Sequence, residues 1–190
     1  MRVIPRTAPD RRPVMDTGAE SELIRRARSG DGAAFDGLYA LSAGRIFALL
    51  LRLCADREKA ERLTQDTFVH AWQRLSTFRG QSRFTSWLHR IAVNLMLMDA
   101  RAESRREARV MTVADEILHI APGRDTDLDD RMDIERAIAL LPRGARAALV
   151  LHDIEGYTHD QIAEMTGVSP GTVRSQVHRA RRLLQERLKP

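Results

Sequence analysis

The sequence predicts an all-α fold, two small helical bundles joined by a flexible acidic linker. Three observations carry this expectation. Apolar residues recur three and four apart through most of the chain, with no strand-like alternation of useful length. A stretch rich in aspartate, with Pro122 and Gly123, interrupts the pattern over residues 107–131. Near the C-terminus, start and stop signals bracket two short helices in succession.

Taken in order, residues 1–20 hold Pro5, Pro9 and Pro13 among charges and read as a flexible tail. From about Glu20, Leu23, Ile24 and Ala27 begin a helical pattern, and Phe35, Leu38, Tyr39 and Leu41 continue it. Ser29-Gly30-Asp31-Gly32 stops one helix and starts the next. The densely apolar segment Ile46–Leu53 suits a buried helix, and Asp56 is placed to cap its successor. The spacing then predicts a helix from about Arg57 to Leu75. Ala60, Leu63, Thr67, Phe68, Ala71, Trp72 and Leu75 make its apolar stripe. Arg62, Asp66 and Gln73 occupy the opposite face, with Val69 as an exposed apolar exception. A loop around Gly80 leads to a helix from about Phe84 to Ala102, with Trp87, Leu88, Ile91, Leu95 and Met98 on its apolar side. The linker follows, with a short helix near Val113–Ile120. Periodicity resumes at Met132, Ile134, Ala137, Ile138 and Leu141. Leu141-Pro142 breaks it, and a helix from Arg143 to Ile154 ends at Gly156.

The last two helices have complete capping signals. Thr158 and Gln161 read as a capping box. Gly167 stands where a tight turn needs a left-handed residue. Ser169 caps the second helix, with Pro170 at its first position, where a missing N–H costs nothing. Val173, Val177, Ala180 and Leu184 form its buried side. Thr172, Arg174, Gln176, His178, Arg179, Arg181 and Arg182 lie on the other. From Pro170 to Pro190 six basic residues face one acidic residue, Glu186. A basic second helix after a glycine turn is the helix-turn-helix arrangement that reads the major groove. By itself this suits many transcription regulators.

The segment Phe78-Arg79-Gly80-Gln81-Ser82-Arg83-Phe84 with Trp87 gathers aromatics in a chain that has 5% of them. Aromatic faces stack on unpaired bases for roughly 1–3 kcal/mol each, and arginines hold phosphates. Flipping a base out of a duplex costs a few kcal/mol, so such contacts can offset local melting. The alternative is that Phe78, Phe84 and Trp87 are core. From Arg74 to Arg109 eight arginines face Asp99, Glu103 and Glu107. Arg90 and Asn94 share one helix face at helical spacing.

The totals set bounds. Hydrophobic residues at 43% and charged residues at 30% belong to a globular chain. The net charge of +5 favours a polyanionic partner. The lone Cys54 permits no internal disulfide and no zinc site with several thiolates. It sits in an apolar helix as a small buried hydrophobe. No apolar run approaches the roughly 20 residues of a membrane helix. The tail is no signal peptide, so the expected location is cytoplasmic with no membrane insertion. The aspartates at 125, 127 and 129 resemble the start of a calcium loop, but Asp130 replaces the required glycine and Arg136 the final glutamate. His152 and His159 have no third ligand. No nucleophile–base–acid set, metal site or cofactor motif stands out, and the chain does not read as an enzyme.

Leu63–Asn94, LTQDTFVHAWQRLSTFRGQSRFTSWLHRIAVN, resembles conserved region 2 of the extracytoplasmic-function RNA polymerase sigma factors (the group IV sigma factors). Leu141–Leu188 resembles their region 4, and the likeness covers residues 21–106 and 132–188. The resemblance implies a region 2 domain over 21–106, a linker over 107–131 and a region 4 domain over 132–190. It implies that Phe78, Arg79, Gly80, Gln81, Ser82, Arg83, Phe84, Trp87, Arg90 and Asn94 hold the non-template strand of the −10 element open. It implies that Ser169, Pro170, Gly171, Thr172, Arg174, Ser175, His178, Arg179 and Arg182 read the −35 element. Glu61, Arg62, Gln65, Asp66, Val69 and Gln73 would dock on the clamp helices of RNA polymerase core, with the flap as a second contact. The linker would thread toward the polymerase active-site channel, its acidity mimicking nucleic acid. A cognate anti-sigma factor is the further implied partner, and a stress response the implied setting. The chain departs from the family where Arg62 follows Glu61 in place of an acidic pair, at Asp66, where glutamate is usual, and at His89, where tyrosine is frequent. The competing reading is a stand-alone helix-turn-helix regulator.

Overall fold

A computed structural model describes residues 18–110 and 130–188. They form helices α1 (Gly18–Arg28), α2 (Gly32–Cys54), α3 (Arg57–Arg74), α4 (Phe84–Val110), α5 (Asp130–Ala139), α6 (Arg143–Leu149), α7 (His159–Thr166) and α8 (Pro170–Arg187). No strand occurs among the described residues, so the all-α expectation holds. The short helix expected near residues 113–120, the 125–129 aspartates and most of the tail lie outside the described residues.

In the first bundle α2 packs against α1, α3 and α4. Local capping sets the helix starts. The Asp31 carboxylate accepts from the Ala34 amide at 3.1 Å, and Asp56 accepts from Lys59 at 3.0 Å. Between these two helices Ala55 takes a left-handed conformation (φ 54°), and its N–H closes on the Leu51 carbonyl. The sequence suggested two apolar stretches here. The structure joins them in one 23-residue helix, long and apolar enough by composition to cross a membrane. It serves instead as the core helix, with Leu38, Ile46, Leu49, Leu50 and Leu53 buried. Burying such side chains contributes about 1.5–3 kcal/mol each. Helix α4 runs to Val110, beyond the expected end near Ala102 and into the expected linker. Its arginine-, glutamate- and alanine-rich tail favours helix.

In the second bundle α6 and α8 form the main contact, with α5 and α7 beside them. A π-helical turn, Val150–Ile154, extends α6 before Gly156 (φ 78°) reverses the chain. The two bundles also touch each other. Helix α4 packs on α7, and α2 packs on α5 and α6.

Candidate nucleic-acid interface

The helix-turn-helix follows its capping signals residue by residue. The Thr158 hydroxyl accepts from the Gln161 amide at 3.2 Å, and the Gln161 side chain accepts from the Thr158 amide at 2.9 Å. Gly167 adopts φ 74° and lets its N–H bond the Ala163 carbonyl. Ser169 Oγ accepts from the Thr172 amide at 3.1 Å, and Pro170 opens α8. Val173, Val177, Ala180 and Leu184 are buried, as the spacing predicts. Ser169, Pro170, Gly171, Thr172, Arg174, Ser175, His178, Arg179 and Arg182 are all exposed along α8. All three hydroxyls of this set already have local partners. Ser175 Oγ donates to the Thr172 carbonyl at 2.9 Å, and Ser169 Oγ lies 2.9 Å from Thr172 Oγ1. Arg181 is bound to Asp153 at 2.8 Å and fastens α8 to the π-turn. Arg182 lies 3.8 Å from Glu186.

The loop before α4 departs from the expectation of stacking platforms. Phe78 and Phe84 are 6% and 2% exposed. Their ring centroids lie 5.6 Å apart, edge to face, and Trp87 sits 5.3 Å from Phe78 and 5.7 Å from Phe84. The three rings form the floor of the loop because removing them from water outweighs what a surface position offers. Only Trp87 is part-exposed. What the loop presents is Arg79, Gly80, Gln81, Ser82 and Arg83, all exposed, with Gly80 at φ 71°. Arg90 and Asn94 are exposed further along α4. Arg90 lies 3.7 Å from the Glu164 carboxylate on α7.

The face of α3 holds Glu61, Arg62, Gln65, Val69 and Gln73 exposed, with Asp66 part-exposed. Ion pairs run across it. Arg57 meets Glu61 at 2.9 Å. Arg62 meets Asp99 of α4 at 2.8 Å and Asp66 at 3.7 Å. Lys59 reaches Asp99 and Glu103, both at 2.7 Å. Burial disfavours the Asp99 carboxylate, yet its bonds to Lys59 and Arg62 outweigh this and hold its pKa below the usual range. Trp72, expected on the buried stripe, is 40% exposed and lies 5.0 Å from Phe35.

Sequence reasoning missed the contacts between the bundles. Tyr157 places its hydroxyl 3.1 Å from His89 Nδ1. His89 is buried, and that burial, with Arg45 nearby, lowers its pKa to about 4. Partners 68 residues apart leave no periodic signal. Cys54 is part-buried, and desolvation pushes its thiol up to about 11. His152 and His159 stack at 4.4 Å, and among the described residues no group of three or more potential metal-binding side chains forms.

A helical bundle with an exposed arginine loop, followed by a helix-turn-helix with an exposed basic helix, defines a two-domain protein built to meet nucleic acid. Family models for sigma-70 region 2 and sigma-70 region 4 match residues 38–106 and 131–184. The chain is 31% identical to the RNA polymerase sigma-H factor of Pseudomonas aeruginosa, over 90% of this chain and 94% of that protein. It is 30% identical to the ECF RNA polymerase sigma-E factor of Haemophilus influenzae, over 90% and 96%. Among solved structures it resembles the sigma factor RpoE in complex with the anti-sigma factor NepR from Bartonella quintana. The TM-score is 0.62 and the identity 30%, covering 81% of this chain and 96% of that one. CnrH, in complex with the cytosolic domain of CnrY, matches with a TM-score of 0.54 and 28% identity, covering 88% and 96%. The chain therefore belongs to the extracytoplasmic-function RNA polymerase sigma factors. It is an alternative sigma factor for promoter-specific transcription, an initiation factor and not a catalytic enzyme.

Proposed function

We propose that this sigma factor binds RNA polymerase core in the cytoplasm, directs it to promoters and helps melt the −10 element. The region 2 domain spans residues 21–106 and the region 4 domain 132–190, with 1–20 as a tail and 107–131 as the linker. Helix α8 reads the −35 duplex through Arg174, Arg179 and Arg182, with Thr172, Ser175 and His178 beside them. The loop Arg79–Arg83 with Arg90 and Asn94 holds the −10 strand, and Phe78 and Phe84 support the loop from beneath. Trp87 is the one ring there exposed enough to reach a base. The face of α3 from Glu61 to Gln73 docks on the clamp, and region 4 meets the flap. An anti-sigma factor holds the chain inactive, a reading favoured by the partners in the two related complexes.

The observation that carries this reading is the simultaneous exposure, on separate bundles, of the loop arginines and of Arg174, Arg179 and Arg182 on α8. Run-off transcription with purified core is the test. Promoter-dependent initiation is expected. Arg79→Ala with Asn94→Ala is expected to spare the closed complex and remove permanganate reactivity at the −10 element. Tight duplex binding with no dependence on core would favour the stand-alone regulator instead.

A further inference from the structure

Where the C-terminal half of α4 passes the start of α6, a groove of about 430 Å³ lies between them. Leu97, Ala100, Arg101 and Arg105 line it from α4, and Arg143 lines it from α6. The four α4 residues stand three and four apart, so they share one face of the helix. Three of the five lining residues are therefore arginines, and they converge from two helices.

Like charges four apart on a helix repel, so Arg101 and Arg105 work against α4 unless something negative lies between them. Elsewhere on this side of the molecule the cations have carboxylates close by. Arg57 meets Glu61 at 2.9 Å, Lys59 meets Asp99 at 2.7 Å, and Arg62 meets Asp99 at 2.8 Å. In the groove the pattern fails. Among the described residues none bonds to or ion-pairs with Arg101 or Arg105. Arg143 approaches Glu103 only at 3.9 Å, and Lys59 already holds that carboxylate at 2.7 Å. The groove thus gathers positive charge that the chain itself leaves uncompensated.

A guanidinium offers its donors in a planar fork that meets two oxygens of one phosphate at once. The volume falls in the range of small-molecule sites, about 300–1,000 Å³. Leu97 and Ala100 add an apolar strip beside the arginines. A DNA duplex, whose major groove alone is about 12 Å wide, can only lie across the mouth of such a groove.

We propose that this groove is a binding site for a small phosphorylated ligand, a nucleoside polyphosphate. Arg101, Arg105 and Arg143 share its phosphates, and Leu97 and Ala100 lie against its apolar part. Neither bundle supplies the site alone.

The test is equilibrium dialysis of the full chain against ATP at fixed ionic strength, with inorganic triphosphate and adenosine as competitors. One site per chain is expected, emptied by triphosphate and not by adenosine. Arg101→Ala, Arg105→Ala and Arg143→Ala are each expected to weaken ATP binding about ten-fold, the loss of one charge-assisted contact. Arg28→Ala, an exposed arginine on α1, leaves it within about two-fold of wild type. All four side chains are exposed, so thermal unfolding without ligand stays near wild type. Absence of ATP binding, displacement by adenosine alone, or a loss shared equally by Arg28→Ala overturns the site. So does a variant lacking all three groove arginines that keeps ATP affinity. If that variant loses random-sequence duplex instead, the arginines serve a DNA backbone and not a small ligand.

Discussion

Helix α8 and the Phe78–Arg83 loop draw on the same residue types and arrange them in opposite ways. In α8 every fourth or third residue is apolar and buried, so the arginines, threonine and serine between them face outward. In the loop the aromatics turn inward and the arginines outward, with no period to announce it. A helix assigns exposure by angle, so a residue's position in the chain tells its side. A loop assigns exposure by what its side chains find to pack against. Phe78 and Phe84 find each other and Trp87. Aromatic content near arginines is therefore a weak guide to which rings are exposed.

The largest effect that tests this contrast is on stability. Phe84→Ala removes a 2%-exposed ring and is expected to cost about 3–5 kcal/mol in denaturant unfolding. A loss well under 1 kcal/mol would return Phe84 to the surface and erase the contrast. Next come Arg174→Ala and Arg179→Ala. Each is expected to weaken binding to −35 duplex by about 1–3 kcal/mol for a lost base contact, while unfolding stays near wild type because both are exposed. Duplex titrations with unchanged affinity would take α8 out of the groove.

Acid probes the buried side of α4. His89 faces Tyr157, Glu155 and Arg45. Its folded pKa of about 4 lies below the unfolded value of about 6.5, so the unfolded chain binds the extra proton. The His89 contribution is complete above pH 6.5 and is lost as pH falls from there toward 4. Between pH 7 and 5 the loss is about 2 kcal/mol. His89→Gln should flatten that part of the unfolding profile; a parallel profile would show that His89 is hydrated. The smallest effect is local. Ser169→Ala removes the cap of α8 and should cost about 1 kcal/mol, with a matching loss from Thr158→Ala at α7. Thermal melts of the two variants measure it.

Much of the fold was legible. The helix starts at Asp31, Asp56, Thr158 and Ser169 are local chemistry, since each cap is a side chain bonding an amide three residues away. The buried face of α8 and the exposed Val69 followed from period alone. The helix-turn-helix geometry was legible for the same reason. The merging of two apolar stretches into α2 and the run of α4 to Val110 were not, because no strong stop signal in the sequence marks either place.

By itself the sequence determined the all-α class, the caps and the outward face of α8, because each depends on residues within one or two helical turns. Only the tertiary structure decided that Phe78 and Phe84 are floor and not platform, that Arg181 is fastened to Asp153, and that Tyr157 reaches His89. Those contacts join residues far apart in the chain, and their energy comes from water excluded between surfaces that meet only when the helices are packed.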